Sequence, residues 1–230
     1  MLNVSGLSVE YSGGAKAIDS VSFAIAAGES VALIGANGAG KTTLLLALVG
    51  VLAASSGSVE ASGLQLSKKN LREIRSRIGM VFQNPDDQLF MPSIFEDVAF
   101  GLRSYGFSEA EVGKRIDETL GLLGIAHLAD RSPLKLSGGE KRLAAIATVL
   151  AMGPGLIMFD EPTAFLDPRA RRGLAAAISG MPQGKLIATH DLGFAGTACS
   201  RVLLLQGGRL VADEGTSLLA NTAMLESAGL

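Results

Sequence analysis

The stretch GANGAGKTTLLLALVG, residues 35–50, follows directly on the apolar run SVALI. A continuous apolar run predicts a strand covered on both faces, and the run after Lys41 predicts a helix over residues 41–50. Gly35, Gly40, Lys41 and Thr42 fit the spacing G-x-x-x-x-G-K-S/T in a strand–loop–helix setting. The glycines let the backbone N–H groups of Gly35, Ala36, Asn37, Gly38, Ala39 and Gly40 turn inward around a phosphate chain. The helix N-terminus at Lys41, Thr42 and Thr43 adds partial positive charge. Lys41 supplies a mobile ammonium for the β and γ oxygens, and the Thr42 hydroxyl is a hard oxygen ligand suited to Mg²⁺. Such a loop grips a nucleoside triphosphate and confines the chain to folds that place a strand end against a helix start.

The run LIMFDE, residues 156–161, predicts a second buried strand ending in two carboxylates. Asp160 there is placed to hold Mg²⁺ opposite Thr42, and Glu161 to polarise an attacking water. Further strands are expected over residues 7–11 and 21–25, with SGGA as the turn between them, over 57–63 as a short edge strand, and over 78–83 and 185–190. Residues 201–215 read as a hairpin turning at QGG. Helical spacing covers residues 93–106, 108–125 and 167–179, and Ser108 with Glu111 opens the second of these as a capping box. Strands alternating with helices predict an α/β fold with a mostly parallel sheet core and an antiparallel β subdomain. No strand-like run lies between residues 91 and 155. A single domain over residues 1–230 is therefore expected, its core and β subdomain spanning about 1–90 and 155–230, with a helical subdomain inserted at about 91–154.

Charge narrows the partners. The net charge is −2 with no block of lysine and arginine, which argues against a nucleic-acid groove. The stretches without charge at residues 42–59 and 143–159 are broken by ASSGS and GPG, short of the ~20 apolar residues a spanning helix needs, so no direct membrane insertion is expected. The start MLNVSGLSVEY does not read as a signal peptide, and Cys199 as sole cysteine fits a reducing cytosol.

No N-K-x-D segment marks a GTPase. Within LKLSGGEKRLAAIATVLAMGPGLIMFDEPTAFLDP, residues 134–168, SGG opens a helix from Gly138 to Met152 whose free N–H groups form a second anion site. This stretch resembles the ATP-binding cassette family, whose signature LSGG with Gln or Glu stands here as Leu136, Ser137, Gly138, Gly139 and Glu140. The resemblance covers nearly the whole chain and identifies the fold as a P-loop cassette nucleotide-binding domain. It implies ATP and Mg²⁺ as ligands and a head-to-tail dimer in which one copy's signature caps the γ-phosphate held by the other. It further implies that Gln83 is the lid glutamine touching Mg²⁺ and water, and that His190 is the switch histidine near the γ-phosphate. By the same resemblance Ala164 to Asp167 form the loop coupling the two sites, and Tyr11 stacks on adenine.

FQNPDDQLF with SIFEDVAFG, followed by the Glu-bearing signature, resembles the ATPases of energy-coupling-factor importers for vitamins and for cobalt or nickel ions. That resemblance implies a place on the cytoplasmic face of the membrane, with Asp86, Asp87 and Gln88 lining a groove that receives a coupling helix of a transmembrane subunit. Intact half-sites favour a homodimer, and the short chain after the last strand leans toward the biotin-type subset. Phe165 departs from the small residue usual at its position, and Leu143 from the polar residue common after EKR. A soluble cassette ATPase of cofactor assembly is the alternative; a kinase would leave Ser137 to Glu140 without a role.

Overall fold

The computed structural model describes residues 1–11 and 13–230. Strands β1 (Leu2–Glu10) and β2 (Lys16–Ile25) pair antiparallel, Val4 opposite Phe23. Of the expected SGGA turn between them, Ser12 lies outside the described residues. Strand β3 (Ser30–Ile34) leads through the glycine loop into helix α1 (Lys41–Leu48). Strands β4 (Ser56–Ala61) and β5 (Leu64–Gln65) follow, then helix α2 (Leu71–Arg77) and strand β6 (Ile78–Val81). Next come helices α3 (Ile94–Ser104), α4 (Glu109–Leu122) and α5 (Gly138–Leu150), with two short 3-10 turns between α4 and α5 and no strand among the three. Strand β7 (Leu156–Asp160), helix α6 (Pro168–Ser179), strand β8 (Gly184–Thr189) and helix α7 (Leu192–Ala198) restore the alternation. Strands β9 (Arg201–Gln206) and β10 (Arg209–Gly215) and helix α8 (Thr222–Ser227) complete the chain.

Two sheets result. One is antiparallel in the order β2-β1-β4-β5; the other runs β10-β9-β3-β8-β7-β6, parallel except for the β9–β10 hairpin. The hairpin turns at Gly207 and Gly208, both at positive φ, as expected. The strand expected at the edge, β4, instead lies between β1 and β5. A turn at Ser62 and Gly63, with φ of 48° and 79°, folds the two-residue β5 back onto it. A strand that short leaves no alternation to read.

Both faces of the larger sheet are covered, which is why its strands are continuously apolar. Along β7, Leu156 and Met158 pack with α1 and the small sheet, while Ile157 and Phe159 pack with the helices α3 to α5. Ala32 and Ile34 of β3 face α7 and the C-terminal segment in a third cluster. Capping boxes start the helices that matter: Ser108 with Glu111 at α4, and Ser137 with Glu140 at α5. Because β3, β7 and β8 are parallel, their C-terminal ends emerge side by side, and the loops after them converge on one edge.

Candidate functional site

Gly35 follows directly on β3, and a Cβ there would stand 2.3 Å from the Leu205 carbonyl oxygen, so no side chain fits. Gly40 has φ of 107°, and a Cβ there would meet the Ala17 carbonyl at 2.7 Å. The loop thus owes its path to glycine, and it closes with Ala39 N donating to Ala36 O at 3.1 Å. Lys41 opens α1 almost fully buried. Its Nζ donates to Gly35 O at 2.7 Å and Ala36 O at 3.2 Å, and lies 3.5 Å from Glu161 Oε1. The ammonium therefore bridges the glycine loop and the end of β7.

Thr42 Oγ1 donates to Asp160 Oδ2 at 2.8 Å. Asp160 is 3% exposed, and its Oδ1 has no partner among the described residues. Burial raises the Asp160 pKa above its ordinary value, with the neighbouring Glu161 adding to the rise; the Thr42 hydrogen bond, Lys41 and Arg142 act against it. A buried carboxylate with one unengaged oxygen beside a hydroxyl is a hard-oxygen pair, and it fits a small divalent cation completed by phosphate oxygens and water. Gln83 is exposed and lines the same cleft.

Glu161 follows with φ of 44°, a left-handed backbone in a non-glycine residue. Its N–H donates to Ala188 O at 2.8 Å, fixing the turn. The carboxylate lies between Lys41 and His190, with Oε2 2.9 Å from His190 Nδ1. Tyr11, just past β1, shares a 2.7 Å hydrogen bond between its hydroxyl and Thr43 Oγ1. A cleft of about 560 Å³ brings together Tyr11, Asn37, Gly38, Gly40, Lys41, Thr42 and Thr43 with Gln83, Glu161 and His190. Gly35, Ala36 and Ala39 form the turn beneath it, with Ala39 buried in the core.

A second cleft of about 710 Å³ adjoins the first and shares Thr42, Gln83, Ala164 and Phe165 with it. Gly138 lines this one. Ser137 caps α5: its hydroxyl donates to Glu140 Oε2 at 2.6 Å, and Glu140 N donates back to Ser137 Oγ at 3.4 Å. The Ser137 side chain, then its backbone N–H, holds the Glu140 carboxyl below the usual range. With Ser137 and Glu140 engaged in each other, the N–H groups of Gly138 and Gly139 are the ones left over at the helix start. Asp167 caps α6, accepting from Ala170 N at 2.9 Å and Arg169 N at 2.8 Å, which lowers its pKa. Neither cleft of the same chain includes Ser137, Gly139, Glu140 or Asp167.

The acidic stretch after Gln83 runs along the second cleft, lined by Asp86 and Asp87. Asp86 pairs with Lys141 of α5 at 2.6 Å, and Asp87 accepts from Asn84 Nδ2 at 3.3 Å. Gln88 turns inward, its Nε2 donating to Ala145 O and Thr148 Oγ1, each at 2.8 Å. Asp86 and Gln88 thus tie the glutamine loop to α5, while Asp87 bonds within the loop; Asp86 and Asp87 remain exposed and line the second cleft. Sequence reasoning also passed over Arg142, which is 2% exposed. Its Nη1 donates to Gln83 O and, at 3.2 Å, to Phe82 O, while Nη2 donates to Ala164 O at 3.3 Å. Burial lowers its pKa, opposed by Asp160. The available signal was a charged residue three and four positions from the core residues Ala145 and Ile146.

The profile of a family described as ABC transporter matches residues 18–164. The energy-coupling factor transporter ATP-binding protein EcfA of Carboxydothermus hydrogenoformans is 42% identical, over 100% of this chain and 86% of that protein. The structure of cbiO1 from Clostridium perfringens, part of the ABC transporter complex cbiONQ, superposes with a TM-score of 0.88 at 35% identity, covering 98% of this chain and 93% of that one. The ATP-binding cassette MJ0796, dimeric in a post-hydrolysis state with ADP and Pi, gives a TM-score of 0.83 at 27% identity, covering 94% and 99%.

Proposed function

This chain belongs to the ABC transporter family, and we propose that within it the chain is the motor of an energy-coupling-factor importer for a biotin-like vitamin or for cobalt or nickel ions. The fold is that of an ABC nucleotide-binding domain, and the chain is an ABC ATPase whose hydrolysis of ATP is coupled to transport. One observation carries the finer reading of the site: the buried Lys41–Glu161 contact next to the Thr42–Asp160 pair, at the mouth of a nucleotide-sized cleft.

Lys41 now satisfies its ammonium on two loop carbonyls and Glu161. A triphosphate entering the loop draws Lys41 onto its β and γ oxygens and releases the Glu161 carboxylate. Glu161 then orients a water and takes its proton, as water oxygen bonds to the γ-phosphorus and the bond to ADP breaks. His190, 2.9 Å from Oε2, fixes the carboxylate and reaches toward the γ-phosphate. Thr42, Asp160 and Gln83 would hold Mg²⁺, which supplies charge neutralisation on the phosphate oxygens. Tyr11 stacks on adenine, giving affinity with little base specificity.

The Gly138 and Gly139 N–H groups make a second phosphate-binding end that its own nucleotide cleft does not use. A head-to-tail pair of identical chains gives each end the other's γ-phosphate. The dimeric MJ0796 cassette and the cbiONQ membership of cbiO1 support a self partner and a transmembrane partner on the cytoplasmic side. No helix among the described residues is long and apolar enough to cross a membrane.

The test has two arms. Purified protein hydrolyses ATP only with Mg²⁺, and Glu161→Gln lowers turnover ~10²–10⁴-fold. Co-expression with the products of neighbouring genes recovers the chain with an integral membrane protein. Unchanged turnover in the variant refutes the base assignment, and recovery of free protein alone in mild detergent refutes the transport role.

A further inference from the structure

Phe165 is 96% exposed, more than any other large apolar side chain among the described residues. It also sits at φ of 62°, in the left-handed region that an aromatic residue adopts only under constraint. Both features are unfavourable in the isolated chain, yet the loop is pinned on either side. Ala164 N donates to Glu161 O at 3.1 Å, and Arg142 Nη2 donates to Ala164 O at 3.3 Å. On the other side Leu166 packs into the helical core. The fold thus holds an apolar ring out into water beside the nucleotide cleft.

We propose that Phe165 is an apolar anchor for a second copy of this chain, buried only when the two copies close on ATP. The inference rests on the head-to-tail reading above and names a residue that grips within it. Phe165 lines both the nucleotide cleft and the cleft at the start of α5. If the first cleft of one copy faces the second cleft of its mate, the strip between them lies next to the two-fold axis. There each copy presents the same surface to the other. Four residues occupy that strip, Thr42, Gln83, Ala164 and Phe165, and only Phe165 offers a large apolar side chain. The two coupling loops therefore meet, and each ring leaves water against its counterpart loop, in the place where aromatic anchors contribute most to an interface. Because the contact is two-fold, one substitution removes it twice.

The sequence contains no tryptophan, so Phe165→Trp adds a single fluorophore at this point. In a Glu161→Gln background, Mg-ATP is expected to shift its emission to shorter wavelength in step with dimer formation measured by sedimentation. The shift should disappear on dilution below the dimer's dissociation constant. Phe165→Gly, in the same background, is expected to weaken the ATP-dependent dimer tenfold or more. Its nucleotide-free melting temperature should be equal or higher, because glycine accepts this φ freely. A dimer with unshifted emission, a shift independent of protein concentration (the copy's own nucleotide covering the ring), or a Phe165→Gly dimer as tight as its parent each overturns the inference while leaving the two-copy reading intact. Absence of any dimer in the Glu161→Gln parent overturns both.

Discussion

Replacing Arg142 by methionine keeps most of the side-chain volume and removes the guanidinium that joins three loop carbonyls. Arg142 donates to the carbonyls of Phe82, Gln83 and Ala164 from a position 2% exposed. Each charge-assisted bond contributes about 1.5–3 kcal/mol before the guanidinium's desolvation is subtracted. The subtraction is real here: burial lowers the Arg142 pKa, and its Nε has no partner among the described residues. What remains after substitution is three carbonyls short of a donor, about 1 kcal/mol each, so roughly 3 kcal/mol in all. For a chain of this size that lowers the melting temperature by about 6–12 °C. A second consequence falls on turnover, since the Gln83 backbone and the Ala164 loop lose their common tie to α5. A displacement of about 1 Å at such a position lowers the rate on the order of 10²-fold. The assay pairs thermal unfolding of nucleotide-free protein with kcat at saturating Mg-ATP, and Arg142→Lys should recover part of both. A methionine variant that melts within about 2 °C of the parent and keeps turnover within about twofold would refute the reasoning.

Three other outcomes are expected. Asp160→Asn should stabilise the nucleotide-free protein at pH 7 while abolishing Mg²⁺-dependent hydrolysis. The sign follows from the raised pKa: the folded state binds this proton more tightly, so stability falls as pH rises from 3.8 through the folded value. The advantage of the variant in thermal scans should therefore vanish below 3.8. Gly35→Ala should disrupt the loop, because its Cβ meets the Leu205 carbonyl at 2.3 Å, whereas Gly113→Ala in α4 meets nothing within 4 Å. Calorimetry should show the first destabilised by about 1–3 kcal/mol and the second stabilised by about 0.5–1 kcal/mol. Tyr11→Ala should weaken nucleotide binding by about 0.5–1.5 kcal/mol, read as a raised KM for ATP and GTP alike with kcat unchanged.

Local chemistry was legible where it dictates local form. The glycine loop, the buried runs at β3 and β7, the strand at β8, the turn at Gly207 and the cap at Ser108 all follow from neighbouring residues, and the structure has them as read, whereas the cap at Ser137 emerged only in the fold. Helix α2 escaped notice because its seven residues bury only Ile74. Strand β5 escaped because two residues carry no period, and β4 was consequently misplaced at an edge. At the site, Tyr11, Lys41, Thr42, Gln83, Glu161 and His190 line one cleft, although they come from segments far apart in the chain. Arg142 was passed over, and the contacts of Asp86 and Gln88 were not foreseen, because their partners, the Gln83 and Ala164 carbonyls, Lys141 and Ala145, come from other elements. Composition marks such side chains as polar; only the tertiary fold decides whether they face a partner protein or their own chain. Phe165 is the converse case, a residue whose oddness is visible in sequence and whose exposure and backbone are visible only in the fold.

Two chains closing around ATP are the centre of the proposed mechanism, and the most direct measurement is the molar mass of the Glu161→Gln variant in solution, with and without Mg-ATP. A mass that doubles with ATP, and returns to that of one chain when ATP is removed, is the predicted result. A mass that stays at one chain at every ATP concentration, while the nucleotide is demonstrably bound, would contradict it.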